Sequence, residues 1–83
     1  MSESGQDKMT TSEQLRAARA MIGLSQLELA RMTGRTEKTI RRAETEVSLV
    51  AADTIATIRA ALESAGVVFL DENGNGPGVA LRK

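Results

Sequence analysis

Residues 25–44, SQLELARMTGRTEKTIRRAE, constrain this chain more than any other stretch. Ser25 and Glu28 have the S-x-x-E spacing of a capping box, in which each side chain accepts from the other residue's backbone N–H. Leu29 and Ala30 then fall on an inward face. Gly34 stands where a left-handed residue stops a helix without a Cβ penalty, and Thr36 is placed to cap the next helix. That second helix has one strong apolar residue, Ile40, and displays Lys38, Arg41 and Arg42. Two short helices meeting at a tight turn, the second of them cationic, have the shape and charge to enter a DNA major groove. Sequence-specific DNA binding is the expectation that follows.

Composition narrows the alternatives. Eighty-three residues allow one domain with a small core, and a chain of this size buries only about 60% of the surface its unfolded form exposes, so a dimer partner would add stability. There is no cysteine and no histidine, which removes disulfides, thiolate metal sites and the commonest catalytic base. An enzyme would have to rest on carboxylates or on Ser25 and Ser48, and no activating base lies near either serine in sequence. Asp71 and Glu72, beside Asn73 and Asn75, lack the terminal glutamate of an EF-hand loop and read as a turn. No catalytic residue, metal or cofactor is expected. No apolar run approaches the roughly 20 residues of a membrane span, and the opening MSESGQDKMTTS lacks a signal-peptide core. The expectation is a cytoplasmic protein without a membrane partner.

Net charge is zero, unusual for a DNA binder, but the charges are not evenly spread. Between Arg31 and Arg42 the chain has five bases (Arg31, Arg35, Lys38, Arg41, Arg42) and one acid (Glu37), a net of +4. A neutral protein with one basic face can still focus its field there; the other reading of such a run is a solvated surface helix.

The rest of the chain reads as mainly α, a compact bundle of four to five helices with a short C-terminal strand or hairpin. Residues 1–10 are expected to form a disordered polar tail, residues 11–66 the helical domain and residues 67–83 a β tail. Thr11 and Gln14 open the first helix as a second capping box; Leu15, Ala18 and Ile22 repeat at helical spacing, and Gly23 ends it. Leu24 links to the helix of 26–33. The third helix spans about 37–44. A connector over 45–51 is expected to anchor Leu49 and Val50 in the core. A fourth helix, about 52–65, has the stripe Ile55, Ile58 and Leu62 and stops at Gly66. Val67, Val68, Phe69 and Leu70 are strand-like, residues 71–78 are turn formers, and residues 79–82 return as a second strand. A lone hairpin is marginal in water, so the tail is expected to pack on the fourth helix or to pair with a second subunit.

From Leu15 onward the chain resembles the Cro/phage-repressor-like helix–turn–helix regulators, the XRE family, of small stand-alone bacterial type. The likeness rests on residues 15–44, with the S-Q-x-E-L-A opening at Ser25 and Gly34 four residues after Ala30, and continues less specifically through TIATIRAALESAGVVF and NGNGPGVALR. It implies a lambda-repressor-like fold and a homodimer reading a near-palindrome in double-stranded DNA, with helix three in the major groove. Gln26 matches the residue that holds a backbone phosphate at a helix N-terminus. Arg35 and Thr36 match further phosphate ligands, Thr36 also serving as a cap. Glu37, Lys38, Thr39 and Arg42 match positions facing base edges: Arg42 for guanine, Lys38 for guanine or a phosphate, and Glu37 either for a cytosine amino group or for the helix dipole. Arg41, further round the helix, matches a phosphate contact or a solvated charge. Arg19 and Glu44 match an ion pair tying helix one to the end of helix three.

The chain also departs from that pattern. Ala43 replaces a large apolar residue and thins the contact under helix three. Thr33 replaces a valine and adds a hydroxyl that needs a partner. Thr45, Glu46 and Val47 replace a Gly- or Asn-rich exit, so helix three is expected to run on for part of a turn. The expected function is a transcriptional regulator, repressing by occluding a promoter or activating through RNA polymerase contact. The alternative is a protein-interaction module, such as an antitoxin or antiactivator, that holds a partner protein through the fourth helix or the tail.

Overall fold

The computed structural model describes residues 10–71 and 74–82. Four helices carry the fold: α1 (Ser12–Met21), α2 (Gln26–Thr33), α3 (Glu37–Thr45) and α4 (Ala52–Ser64). A 3-10 turn, Val47–Leu49, joins α3 to α4, and the chain ends in an antiparallel hairpin of β1 (Val67–Leu70) and β2 (Gly78–Leu81). The mainly α bundle with a C-terminal hairpin is therefore the observed architecture. Among the described residues, no helix is long and apolar enough to cross a membrane.

Local chemistry explains where the first three helices begin. Thr11 and Gln14 form a complete capping box at α1, and Ser25 and Glu28 form another at α2. Thr36 caps α3, its hydroxyl accepting from the Thr39 N–H. Gly34 ends α2 at φ 68°, the left-handed conformation that a residue without a Cβ adopts freely. The Thr33 hydroxyl donates to the Leu29 and Ala30 carbonyls of its own helix, so the polar group added at that buried position is satisfied.

Side chains from all four helices and from β1 meet in the core: Leu15 and Ala18 of α1, Leu29 and Ala30 of α2, Ile40 and Ala43 of α3, Ile58 and Leu62 of α4, and Val67 and Phe69 of β1. Ile22, Leu24, Val47, Val50, Ile55 and Val79 close over it. The hairpin lies within the same chain's core, β1 against α4 and β2 against α1. Arg59 of α4 lays its guanidinium 4.6 Å over the Phe69 ring and donates to Glu63 and Thr10. Thr10, expected to belong to the polar tail, is thus held and half-buried, while residues 1–9 lie outside the described residues.

Two expectations are corrected, the burial of Leu49 and the start of β2. Leu49, expected in the core, is 67% exposed: the 3-10 turn rotates Val47 inward in its place, and Val50 alone of the expected pair packs on the core. Helix α3 runs on past Glu44 to Thr45, as expected from its exit sequence, and the Thr45 hydroxyl donates back to the Arg41 carbonyl. Strand β2 starts at Gly78 rather than at Val79, because the register sets Gly78 against Leu70.

Candidate nucleic-acid interface

The spacing of apolar residues in α3 divides it into two faces. Ile40, Ala43 and Glu44 are buried, whereas Glu37, Lys38, Arg41 and Arg42 are exposed. Lys38 and Arg42 are one turn apart and share the solvent face. Among the described residues no carboxylate lies within ion-pair distance of either. Both cations therefore keep their full donor sets for an incoming anion or base edge. Arg41 lies 3.7 Å from Glu37. Both of those side chains are exposed, so the pair contributes little and exchanges readily for another partner.

The two threonines at the start of α3 are committed to each other. The Thr36 hydroxyl accepts from the Thr39 N–H and donates to the Thr39 hydroxyl, which leaves the Thr39 O–H and methyl for an outside contact. Arg35 is half-buried and turned toward α4, donating to the Thr54 hydroxyl at 3.4 Å and to the Thr33 carbonyl at 3.3 Å.

Gln26 opens α2, where the first backbone N–H groups have no acceptor inside the helix. The capping box occupies the Ser25 and Glu28 N–H groups. Those of Gln26 and Leu27 have no acceptor among the described residues, and such free N–H groups at a helix start favour an anion. The Gln26 side chain is positioned from the other end of α3: its amide donates to the Glu44 carboxylate at 3.1 Å.

Glu44 is the hub of this arrangement. Its side chain is 3% exposed, and its oxygens accept from Arg19 at 2.6 and 3.0 Å as well as from Gln26. The Arg19 guanidinium also donates to the Leu24 carbonyl. The hydrogen bond from Arg19, reinforced by the opposite charge, raises the Arg19 pKa further above its ordinary value. The residues expected to form a structural pair therefore do so, and they bring in Gln26 as a third member. Sequence reasoning missed two neighbours. Arg16 donates to the Glu44 carbonyl, and the Ser12 hydroxyl accepts from the Val47 N–H, both at 2.7 Å. Ser12, Arg16 and Arg19 recur at spacings of four and three on α1, so a polar stripe at helical period was the available signal. It secures the exit of α3 where Ala43 offers little packing.

A shallow depression along α3 is bounded by Lys38, Arg41, Arg42, Thr45, Glu46 and Leu49. The exposed Leu49 thus adds an apolar contact to the cationic face. The strand residues divide by face: Val67 and Phe69 are core, whereas Val68 and Leu70 are exposed. Comparison of the chain with protein-family models and with curated proteins finds no match.

Proposed function

We propose that this chain is a sequence-specific DNA-binding transcriptional regulator that inserts α3 into the major groove. The observation that carries the reading is the pair Lys38 and Arg42, exposed, cationic and without a carboxylate partner among the described residues, on a helix set against α2 by the turn at Gly34. Arg42 supplies the two-donor fork that matches guanine O6 and N7, and Lys38 a second donor on the same face. Thr39 and Leu49 offer apolar contact to a thymine methyl, and Glu37 accepts from a cytosine amino group once Arg41 turns to a phosphate. The free N–H groups at Gln26 and Leu27 hold the backbone at the start of α2, with Thr36 and Arg35 beside the opposite strand.

Two copies would place their α3 helices about 34 Å apart, in successive major grooves of a near-palindromic operator. Occlusion of a promoter is the simplest consequence, RNA polymerase contact the other, and a cytoplasmic location accords with both. Selection of bound duplexes from a random pool tests the reading: a motif of two inverted half-sites is expected, and recovery without enrichment of any sequence would overturn it. At the selected site Arg42→Ala is expected to cost about 1–3 kcal/mol and to relax preference at one base pair. An equal loss on cognate and scrambled duplexes would make Arg42 a phosphate ligand instead.

A further inference from the structure

The hairpin has one open edge, and the ladder together with burial identifies it. Val67 stands opposite Leu81, Val68 opposite Ala80, Phe69 opposite Val79 and Leu70 opposite Gly78. Beyond the strand ends, the Arg82 N–H donates to the Gly66 carbonyl at 2.7 Å, which makes those two residues a hydrogen-bonded pair. Such pairs alternate along an antiparallel ladder. Val68 with Ala80, and Leu70 with Gly78, are therefore bonded across, while the main-chain groups of Val67, Phe69, Val79 and Leu81 point away from the partner strand.

On the β1 side these groups belong to two core residues on the strand that packs on α4. On the β2 side they belong to Val79, half-buried, and Leu81, 52% exposed. No described residue bonds to the main-chain N–H or carbonyl of either. Helix α1 packs against β2 without bonding to these outward-pointing groups. It reaches the sheet through Gln14, whose amide donates to the Leu70 and Gly78 carbonyls between the two strands. A strand edge invites pairing unless charge, proline or cover blunts it, and the sequence GVAL of β2 contains neither charge nor proline.

We propose that a second copy of this chain pairs along the β2 edge, antiparallel about a twofold axis at Ala80, to give a four-stranded sheet ordered β1–β2–β2–β1. The proposal rests on the dimeric reading above and names the surface that makes the dimer. Centring on Ala80 sets Val79 of each copy against Leu81 of the other, so the outward-pointing groups of both residues are used. Centring on Val79 would instead place Leu81 against Pro77, which has no N–H. At the axis the two Ala80 residues form a non-bonded pair, the class with the shorter Cα separation, and a methyl side chain accommodates that approach. Each Leu81, on the inner face of the sheet, comes to lie beside the other copy's Val79. Charge is complementary as well: the antiparallel pairing lays Arg82, at the end of β2, toward the turn end of the other copy, where the exposed Asp71 follows β1.

The chain has no cysteine, so a single introduced thiol reports the axis. Opposed Cα atoms about 4.5 Å apart in a non-bonded pair lie within disulfide range. The full chain carrying Ala80→Cys is expected to convert almost completely to a covalent dimer under mild oxidation. Val68→Cys, one strand further from the axis, is expected to remain uncrosslinked. By sedimentation the unaltered chain is expected to be a dimer at micromolar concentration. Leu81→Pro removes an N–H that has no partner within the described chain and is expected to sediment as a monomer with unchanged helical circular dichroism. The proposal is overturned if Ala80→Cys stays monomeric, if Val68→Cys cross-links as readily, or if Leu81→Pro remains dimeric. None of these readouts involves DNA: a crosslinked dimer that selects no sequence would sink the regulatory reading alone, and two inverted half-sites bound by a chain that fails to crosslink would sink this pairing alone.

Discussion

The helix–turn–helix and the hairpin lie against the same core but are fixed by different means. In α1, α2 and α3 each start is closed by a side chain three residues away: Thr11 with Gln14, Ser25 with Glu28, Thr36 with Thr39. The hairpin is placed by Val67 and Phe69 in the core and by Gln14, which reaches across 56 and 64 residues of chain to Leu70 and Gly78. α3 combines both modes, closed locally at Thr36 and held at its far end by Arg19, 25 residues before Glu44. The difference teaches where change is tolerated. A locally capped helix can vary its solvent face, at Lys38 and Arg42 for instance, without altering its place in the fold. An element placed by a distant side chain moves when that side chain changes.

Arg19→Ala puts the greatest strain on this contrast. It leaves the Glu44 carboxylate, only 3% exposed, with Gln26 as its remaining side-chain partner, and losing one member of a buried ion pair typically costs about 3–5 kcal/mol. Urea unfolding at neutral pH measures the loss. A loss below about 1 kcal/mol, the range of an exposed pair, would mean that the local caps place α3 unaided. Arg19→Lys keeps the charge but not the guanidinium fork and is expected to fall between the two.

The contrast sharpens at Gln14, which belongs to both modes. Gln14→Glu keeps a carboxylate oxygen for the Thr11 N–H, since glutamate is the other residue of a capping box. It removes the two amide donors and turns an acid toward the Leu70 and Gly78 carbonyls. Losing a hydrogen bond to each of these part-buried carbonyls costs about 0.5–1.5 kcal/mol. The expected outcome is faster amide exchange in β1 and β2, with protection in α2 and α3 unchanged. Equal acceleration throughout would show that hairpin and helices open as one unit.

The same division explains what could be read in the sequence. Ser25–Glu28, Gly34 and Thr36 define α2, its turn and the start of α3 because hydroxyls, carboxylates and glycine act within one turn of the chain. The inward Ile40 and the exposed Lys38 and Arg42 follow from helical period. Leu49 did not follow: its neighbours mark a connector, but only the 3-10 geometry decides that Val47 turns inward and Leu49 out. The Gln26 bond to Glu44, the Arg16 bond to the Glu44 carbonyl and the Gln14 bonds to the hairpin join residues far apart in sequence. No local pattern encodes such pairs. The Arg19–Glu44 pair became legible through the resemblance of residues 15–44 to a known family, with no spacing rule behind it.

The smallest expected effect concerns local closure itself. The Glu28 carboxylate accepts from the Ser25 N–H at 2.8 Å. That backbone hydrogen bond, together with the Ser25 side chain, lowers the Glu28 pKa below its ordinary value. A carboxyl group whose pKa is lower folded than unfolded stabilises the fold above its unfolded pKa and loses that contribution as pH falls through the folded value. At neutral pH the capping box is therefore intact, and acid below the ordinary glutamate range releases it. A carboxyl-detected NMR titration of Glu28 is expected to show a midpoint below that of the same residue in an unfolded peptide, and Glu28→Gln to remove this part of the acid dependence of α2. A midpoint at or above the peptide value would mean that the bond to Ser25 does not persist in solution, and that packing of Leu29 and Ala30 on the core, rather than local closure, sets the start of α2.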